Sequence, residues 1–172
     1  ICVPENQNKL KRISIRMDIQ TCDKYSINEL KLEKPIKVED VYASSINFTI
    51  QTPKLTISKI SKKVVLLLND SMEKILSDFD NKVINLISEN SEEFFEDKMT
   101  IDDAEDIYKH SFKQSKTETK ISLSVNKKVS IYNKKKDKLQ LDELTIGDTV
   151  ICLLKCKKII FYKSHCEPLW EV

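Results

Sequence analysis

The hydrophobic period of this chain changes twice, and that constrains its fold more than any other feature. In "SINFTIQTP" (45–53) Ile46, Phe48 and Ile50 alternate with Asn47, Thr49 and Gln51, and "KLTISKI" (54–60) repeats the pattern. Alternation at period two puts one face of a strand in the core and the other in water. "KKVVLLLND" (62–70) is a continuous β-rich apolar run stopped by Asn-Asp, the pattern of a buried strand. From 70 to 97 the period lengthens. Met72, Ile75, Leu76, Phe79, Val83, Leu86 and Ile87 recur at three- and four-residue steps, which predicts an amphipathic helix capped by Asp70 or Ser71. A second helix is expected over 100–112, with Thr100 as N-cap, Asp103 at the capping-box position and acidic residues in the first turn, where the helix dipole favours them.

After that block the period returns to two. "ETKISLSVN" (118–126) and "KKVSIYN" (127–133) are expected to pair as a hairpin about Asn126-Lys127, with "NKKKDK" (133–138) as a charged turn. Gly147-Asp148 is a turn leading into a strand from Thr149, "CKK" (156–158) turns the chain into "IIFYKSH", and "PLWEV" (168–172) is a last strand. Upstream, 1–9 is a polar lead-in, "LKRISIRMDIQ" (10–20) alternates as a half-buried strand, and "INELKLEKPIKV" (27–38) is a weaker segment broken at Pro35. Strands, two helices, then strands describe an α+β fold. Many short strands in 172 residues must close on themselves or be covered. The expectation is an antiparallel curved sheet or an OB-like β-barrel, in one domain over 1–172, with a two-helix insertion over 70–112 between two β-rich halves.

A single glycine, Gly147, excludes the glycine-dependent phosphate loops of Rossmann and P-loop proteins, neither of which can be written with one glycine. No apolar run approaches the roughly 20 residues of a membrane-spanning helix, so no membrane role is expected. The chain begins at Ile1 rather than Met and reads as a fragment or a processed product. Five cysteines, irregularly spaced in a lysine-rich chain, read as reduced thiols of an intracellular protein. Cys152 and Cys156 share a strand face, but their sulfurs would lie roughly 13 Å apart on a regular strand, too far for one zinc ion. Neither metal nor cofactor is expected. His110 and His165 join no Ser/His/Asp or Cys/His set, so a non-enzymatic role is expected. His110, after an acidic helix, suits a capping or surface role.

The net charge of +2 hides a polar distribution. Acidic residues crowd 89–106, the pattern of a solvated helix face. Basic residues gather later, at Lys134, Lys135 and Lys136 and again in "CLLKCKKIIFYKSHCEPLW" (152–170). There Lys155, Lys157, Lys158 and Lys163 interleave with Phe161, Tyr162 and Trp170. Cations to neutralise phosphates and flat side chains to stack on bases are the two parts that single-strand binding needs. A core hairpin with snorkelling lysines accounts for the same residues. On a strand one of Phe161 and Tyr162 is buried and the other exposed.

Three stretches carry a resemblance: "INFTIQTPKLTI" (46–57); "NKVINLISENSEEFF" (81–95) with "IYKHSFKQS" (107–115); and "LDELTIGDTVICLLKCKKIIFYKSHCEPLWEV" (141–172). In this order, from about residue 27 to the end, the chain resembles a largely uncharacterised family of nucleocytoplasmic large DNA viruses, giant viruses included, that is similar to their single-stranded DNA-binding proteins. Where that pattern carries glycines, this chain has "YASSIN" and "KSHCEP". The resemblance implies an OB-type barrel that coats single-stranded DNA in viral replication or repair, in the host cytoplasm or viral factory. Lys134–Lys136, Lys155, Lys157, Lys158 and Lys163 would track the backbone, and Phe161, Tyr162 and Trp170 would be stacking or core aromatics. The rival expectation is a virion structural or assembly protein that acts through protein–protein contacts or self-association.

Overall fold

The two alternating stretches that open the fold form one bent ribbon. The computed structural model describes residues 19–126 and 128–172. The lead-in, Cys2, Lys127 and nearly all of the strand expected over 10–20 lie outside the described residues. In chain order the elements are β1 (Gln20–Thr21), β2 (Ile36–Val38), β3 (Val41–Gln51), β4 (Leu55–Ile60), β5 (Lys63–Leu67), α1 (Asp70–Phe95), α2 (Ile101–Ile107), β6 (Phe112–Gln114), β7 (Thr119–Ser124), β8 (Ile131–Tyr132), β9 (Lys138–Leu139), a 3-10 turn at Leu141–Glu143, β10 (Thr149–Val150), β11 (Leu153–Phe161) and β12 (Cys166–Glu171). The fold is α+β, with a strongly curled, mostly antiparallel sheet and two helices in mid-chain.

The curl comes from a corner. Pro53 cannot donate to a ladder, so β3 and β4 part there. The opposite ribbon turns with them: β11 pairs with β3, with Leu153 opposite Gln51, and β10 pairs with β4, with Val150 opposite Leu55. Thr52 N–H donates to the Cys152 carbonyl at 2.8 Å and Cys152 N–H to Thr52 Oγ1 at 2.9 Å, so hydrogen bonding runs through the bend. With β3–β4 as one strand and β10–β11 as another, the hydrogen-bonded order is β3–β4, β5, β7, β12, β11 and back to β3–β4. In chain order that is 1-2-3-5-4-1, an OB-like arrangement. The Gly147-Asp148 turn is present: Gly147 has φ 96°, its N–H donates to the Ile57 carbonyl, and β10 follows.

The helices cover the inner face of this sheet. Met72, Ile75, Leu76, Phe79, Val83 and Ile87 of α1 are buried, as their spacing predicts. Phe79 packs on Phe48 of β3 and Trp170 of β12, with ring centroids 5.1 and 5.0 Å apart. The helix is capped one residue earlier than expected. Asn69, not Asp70 or Ser71, takes the Met72 N–H on its side-chain oxygen at 3.0 Å. Asn69→Ala should cost about 1 kcal/mol in a urea melt, the usual worth of an N-cap; an unchanged midpoint would show that the cap adds nothing. The second helix has the expected reciprocal Thr100–Asp103 box but is shorter than 100–112. Tyr108 leaves the helix to form a bridge with Cys166, and Lys109 N–H donates to the Cys166 carbonyl at 2.8 Å. Among the described residues no helix is long and apolar enough to cross a membrane.

Two expected connections differ. Among the described residues, 118–126 and 128–133 do not pair as the hairpin expected over 118–126 and 127–133, because both edges of β7 are taken: β5 and β6 are its antiparallel partners and β12 joins it in parallel. Instead β8 pairs with β9 as a separate two-stranded sheet. The expected charged turn joins them. Asn133 Oδ1 accepts from the N–H groups of Lys135 and Asp137 at 2.8 and 2.9 Å, and Lys136 takes a left-handed φ of 69°. At 156–158 the chain does not turn. β11 runs through with a bulge between Cys156 and Ile159, one extra residue absorbed without leaving the sheet.

Candidate nucleic-acid interface

The bulge in β11 decides where the lysines go. Leu154, Cys156, Ile159 and Phe161 are buried on the inner face. Lys155 is half-buried, and Lys157 and Lys158 are both exposed, because the residue that β11 carries in excess of β12 leaves two successive side chains outside. Lys155 lies in a cross-strand row on the outer face, Lys63–Ser124–Glu171–Lys155–Thr49. Glu171 is its centre. Lys157 Nζ sits 2.8 Å from Glu171 Oε1, and Asn126 also reaches the carboxylate. The Lys157 hydrogen bond leads in holding the Glu171 carboxyl below its ordinary value, against a smaller opposing effect of burial, with Lys155 adding its charge. One carboxylate therefore answers two lysines, and the face stays basic.

The expected aromatics divide. Trp170 is 3 % exposed, packed edge-on to Phe48, and its Nε1–H donates to Ser111 Oγ at 2.8 Å. Phe161 is buried against Phe95, centroids 5.4 Å apart. Both are core. Tyr162 is 43 % exposed, so the expectation of one buried and one exposed neighbour holds. Lys163 beside it is exposed. Lys134, Lys135 and Lys136 are exposed but sit in the β8–β9 turn, off the curled sheet.

What the sequence reading missed lies at the end of α1. Lys37 of β2, Tyr42 of β3, Phe161 of β11 and Cys166 of β12 form one inner-face row. Helix α1 stops at Phe95 and leaves the Tyr42 end of that row open. The result is a groove of about 850 Å³. Tyr42, 51 % exposed, and Lys37 line one side, Tyr162 and Lys163 another, with Phe94 and Phe95 from the helix end. Asp40 and Glu96 line it too. The parity of "YASSINFTI" puts Tyr42 on the face of Phe48; only the point where the helix ends exposes it.

Tyr162 is held in place. Its N–H donates to the His165 carbonyl at 2.8 Å, closing the turn, and its ring stacks on His165 at 4.6 Å and 19°. Lys109 Nζ lies 2.8 Å from His165 Nε2.

A buried polar knot ties α1 to the link between α2 and β6. Asp80 of α1 is fully buried and accepts from the Tyr108 hydroxyl and the Ser111 N–H at 2.8 Å each, and from the Ser111 hydroxyl. His110, expected as a surface or helix cap, lies with Nδ1 3.4 Å from Asp80. Burial raises the Asp80 carboxyl above its ordinary value, partly opposed by the hydrogen bonds from Ser111 and Tyr108. Burial also pushes up the thiols, Cys152 to about 11 and Cys166 to about 12. Thiols so raised are inert as nucleophiles near neutral pH. Among the described residues no cluster of three or more His, Cys, Asp or Glu is arranged to hold a metal ion.

Residues 53–172 match a family described as a family of unknown function (DUF5871). Comparison with curated proteins and with solved structures gave no match.

Proposed function

We propose, from the premise that the chain belongs to the DUF5871 family of unknown function, that it is a non-enzymatic protein that binds single-stranded DNA without reading sequence. The observation that carries this reading is the strand order. In OB-type barrels the loops between the first and second and between the fourth and fifth strands take part in oligonucleotide binding. Here those loops are Ser61–Lys62 and Tyr162–His165, and the second holds the exposed Tyr162 and Lys163. Lys155, Lys157 and Lys158 extend the basic surface along the preceding strand. Viral replication or repair is the setting we propose for this activity, on the resemblance of the chain to large DNA virus proteins.

The test is fluorescence anisotropy of labelled oligo-dT against a duplex control over a salt series. If Lys155, Lys157, Lys158 and Lys163 each meet a phosphate, log K should fall with log salt at a slope of about −3. Lys157→Ala with Lys158→Ala should flatten that slope. No single-strand binding at low salt, or equal duplex binding, rejects the reading.

One observation favours the rival, a virion assembly protein. Outer strand β2 is fully exposed, with Ile36 at 66 % and Val38 at 39 %, the kind of edge that recruits another chain. Stable oligomers in sedimentation, indifferent to nucleic acid, would favour it.

A further inference from the structure

We infer that the groove at the open end of the inner face is a slot for unpaired bases, and that it supplies the preference for single strands. This rests on the single-stranded DNA reading and adds to it the part of the ligand that enters. Three observations point to a base rather than a phosphate. First, the charges that line the groove nearly balance, Lys37 and Lys163 against Asp40 and Glu96. Phosphate attraction has little net field to act through here, whereas the outer face of β11 carries the surplus of lysines. Second, what the groove does offer is flat surface. Tyr42 and Tyr162 stand on separate hairpins with half their surface in solvent, above the Phe94, Phe95 and Phe161 rings. The volume of about 850 Å³ is in the range of small-ligand sites. Third, Tyr162 is fixed before any ligand arrives, by the His165 stack and by the turn. A base that slides onto it extends an existing stack and orders little more. Bases in a duplex have both faces already covered, so only an unpaired base can enter. The groove and the outer lysines meet at the Tyr162–His165 turn, so one strand can place phosphates on β11 and the adjoining base in the slot.

The experiment compares oligo-dT with an abasic oligonucleotide of equal length and phosphate number, on the parent and on Tyr42→Ala/Tyr162→Ala. Both tyrosines are exposed, and a thermal melt checks that the variant is folded. The parent should bind oligo-dT at least about tenfold more tightly than the abasic strand, the effect of one stacked base. The variant should bind the two alike, at the abasic level. Equal binding by the parent would overturn the base slot and leave phosphate-driven single-strand binding standing. No binding of either strand would overturn both. Self-association of the parent that the same substitutions abolish would show that a second copy covers the groove, and would also overturn the slot.

Discussion

Trp170→Ala is expected to destabilise the fold by about 3–5 kcal/mol, the cost of truncating a fully buried aromatic. The ring lies against Phe48 and Phe79, with centroids 6.1 and 5.0 Å away, and its N–H is bonded to Ser111. Removal opens a cavity where α1 meets the sheet and leaves Ser111 without one partner. Against a total stability of about 5–15 kcal/mol, that is a large share of what holds the fold together. Urea unfolding followed by far-UV circular dichroism measures this. Trp170→Phe keeps most of the packing and should cost much less. Tyr162→Ala, at an exposed ring, should change the unfolding free energy by less than about 1 kcal/mol while weakening oligonucleotide binding. The reverse pattern, a stable Trp170→Ala that fails to bind, would place Trp170 on the ligand and contradict the burial described above.

Asp80→Ala should cost a comparable amount, about 3–5 kcal/mol, because it strands the Tyr108 hydroxyl and both Ser111 donors in the interior. Those donors lie on the link from α2 to β6, so the loss should loosen the segment that holds Lys109 against His165. The pH dependence has a definite sign. Burial raises the folded-state value of Asp80 above its ordinary 3.8, so its contribution favours the fold below that value and is lost as pH rises through the folded value. Asp78, Asp103 and Glu171 are held below their ordinary values, so their contributions grow with rising pH. Among the described carboxyl groups, Asp80→Asn removes the opposing contribution. Its urea midpoint should therefore rise more steeply than the parent's as pH climbs above the ordinary value of 3.8. A His110→Gln control removes the imidazole that faces the carboxylate. Parallel curves for parent and Asp80→Asn would mean that the carboxyl titrates as it does in the unfolded chain.

The elements were legible because they obey local rules. The even-numbered apolar positions of 46–50, the three-and-four spacing from Met72 to Ile87 and the Thr100–Asp103 box each fix a conformation through neighbours a few residues away. The expected curved sheet with a mid-chain helical block followed from their order. The N-cap fell on Asn69 rather than Asp70 because three successive residues can each cap and only geometry chooses among them. Asp80 was invisible as a core residue because a carboxylate on a helix is normally solvated; only partners 28 and 31 residues away make its burial tolerable.

The sequence by itself determined which residues alternate, which wind into a helix, and that one of Phe161 and Tyr162 must be buried if the other is exposed, since period two leaves no other choice. Tertiary structure decided the rest. It put Trp170 in the core, because β12 lies between β11 and β7 and α1 covers its inner face. It paired β8 with β9, because the edges of β7 were already taken. It sorted the lysines from the aromatics by one bulge at 156–159 and by the point where α1 stops. A bulge and a helix end shift which face meets water over distances that no local pattern reports, so the groove between Tyr42 and Tyr162 exists only once the chain has folded.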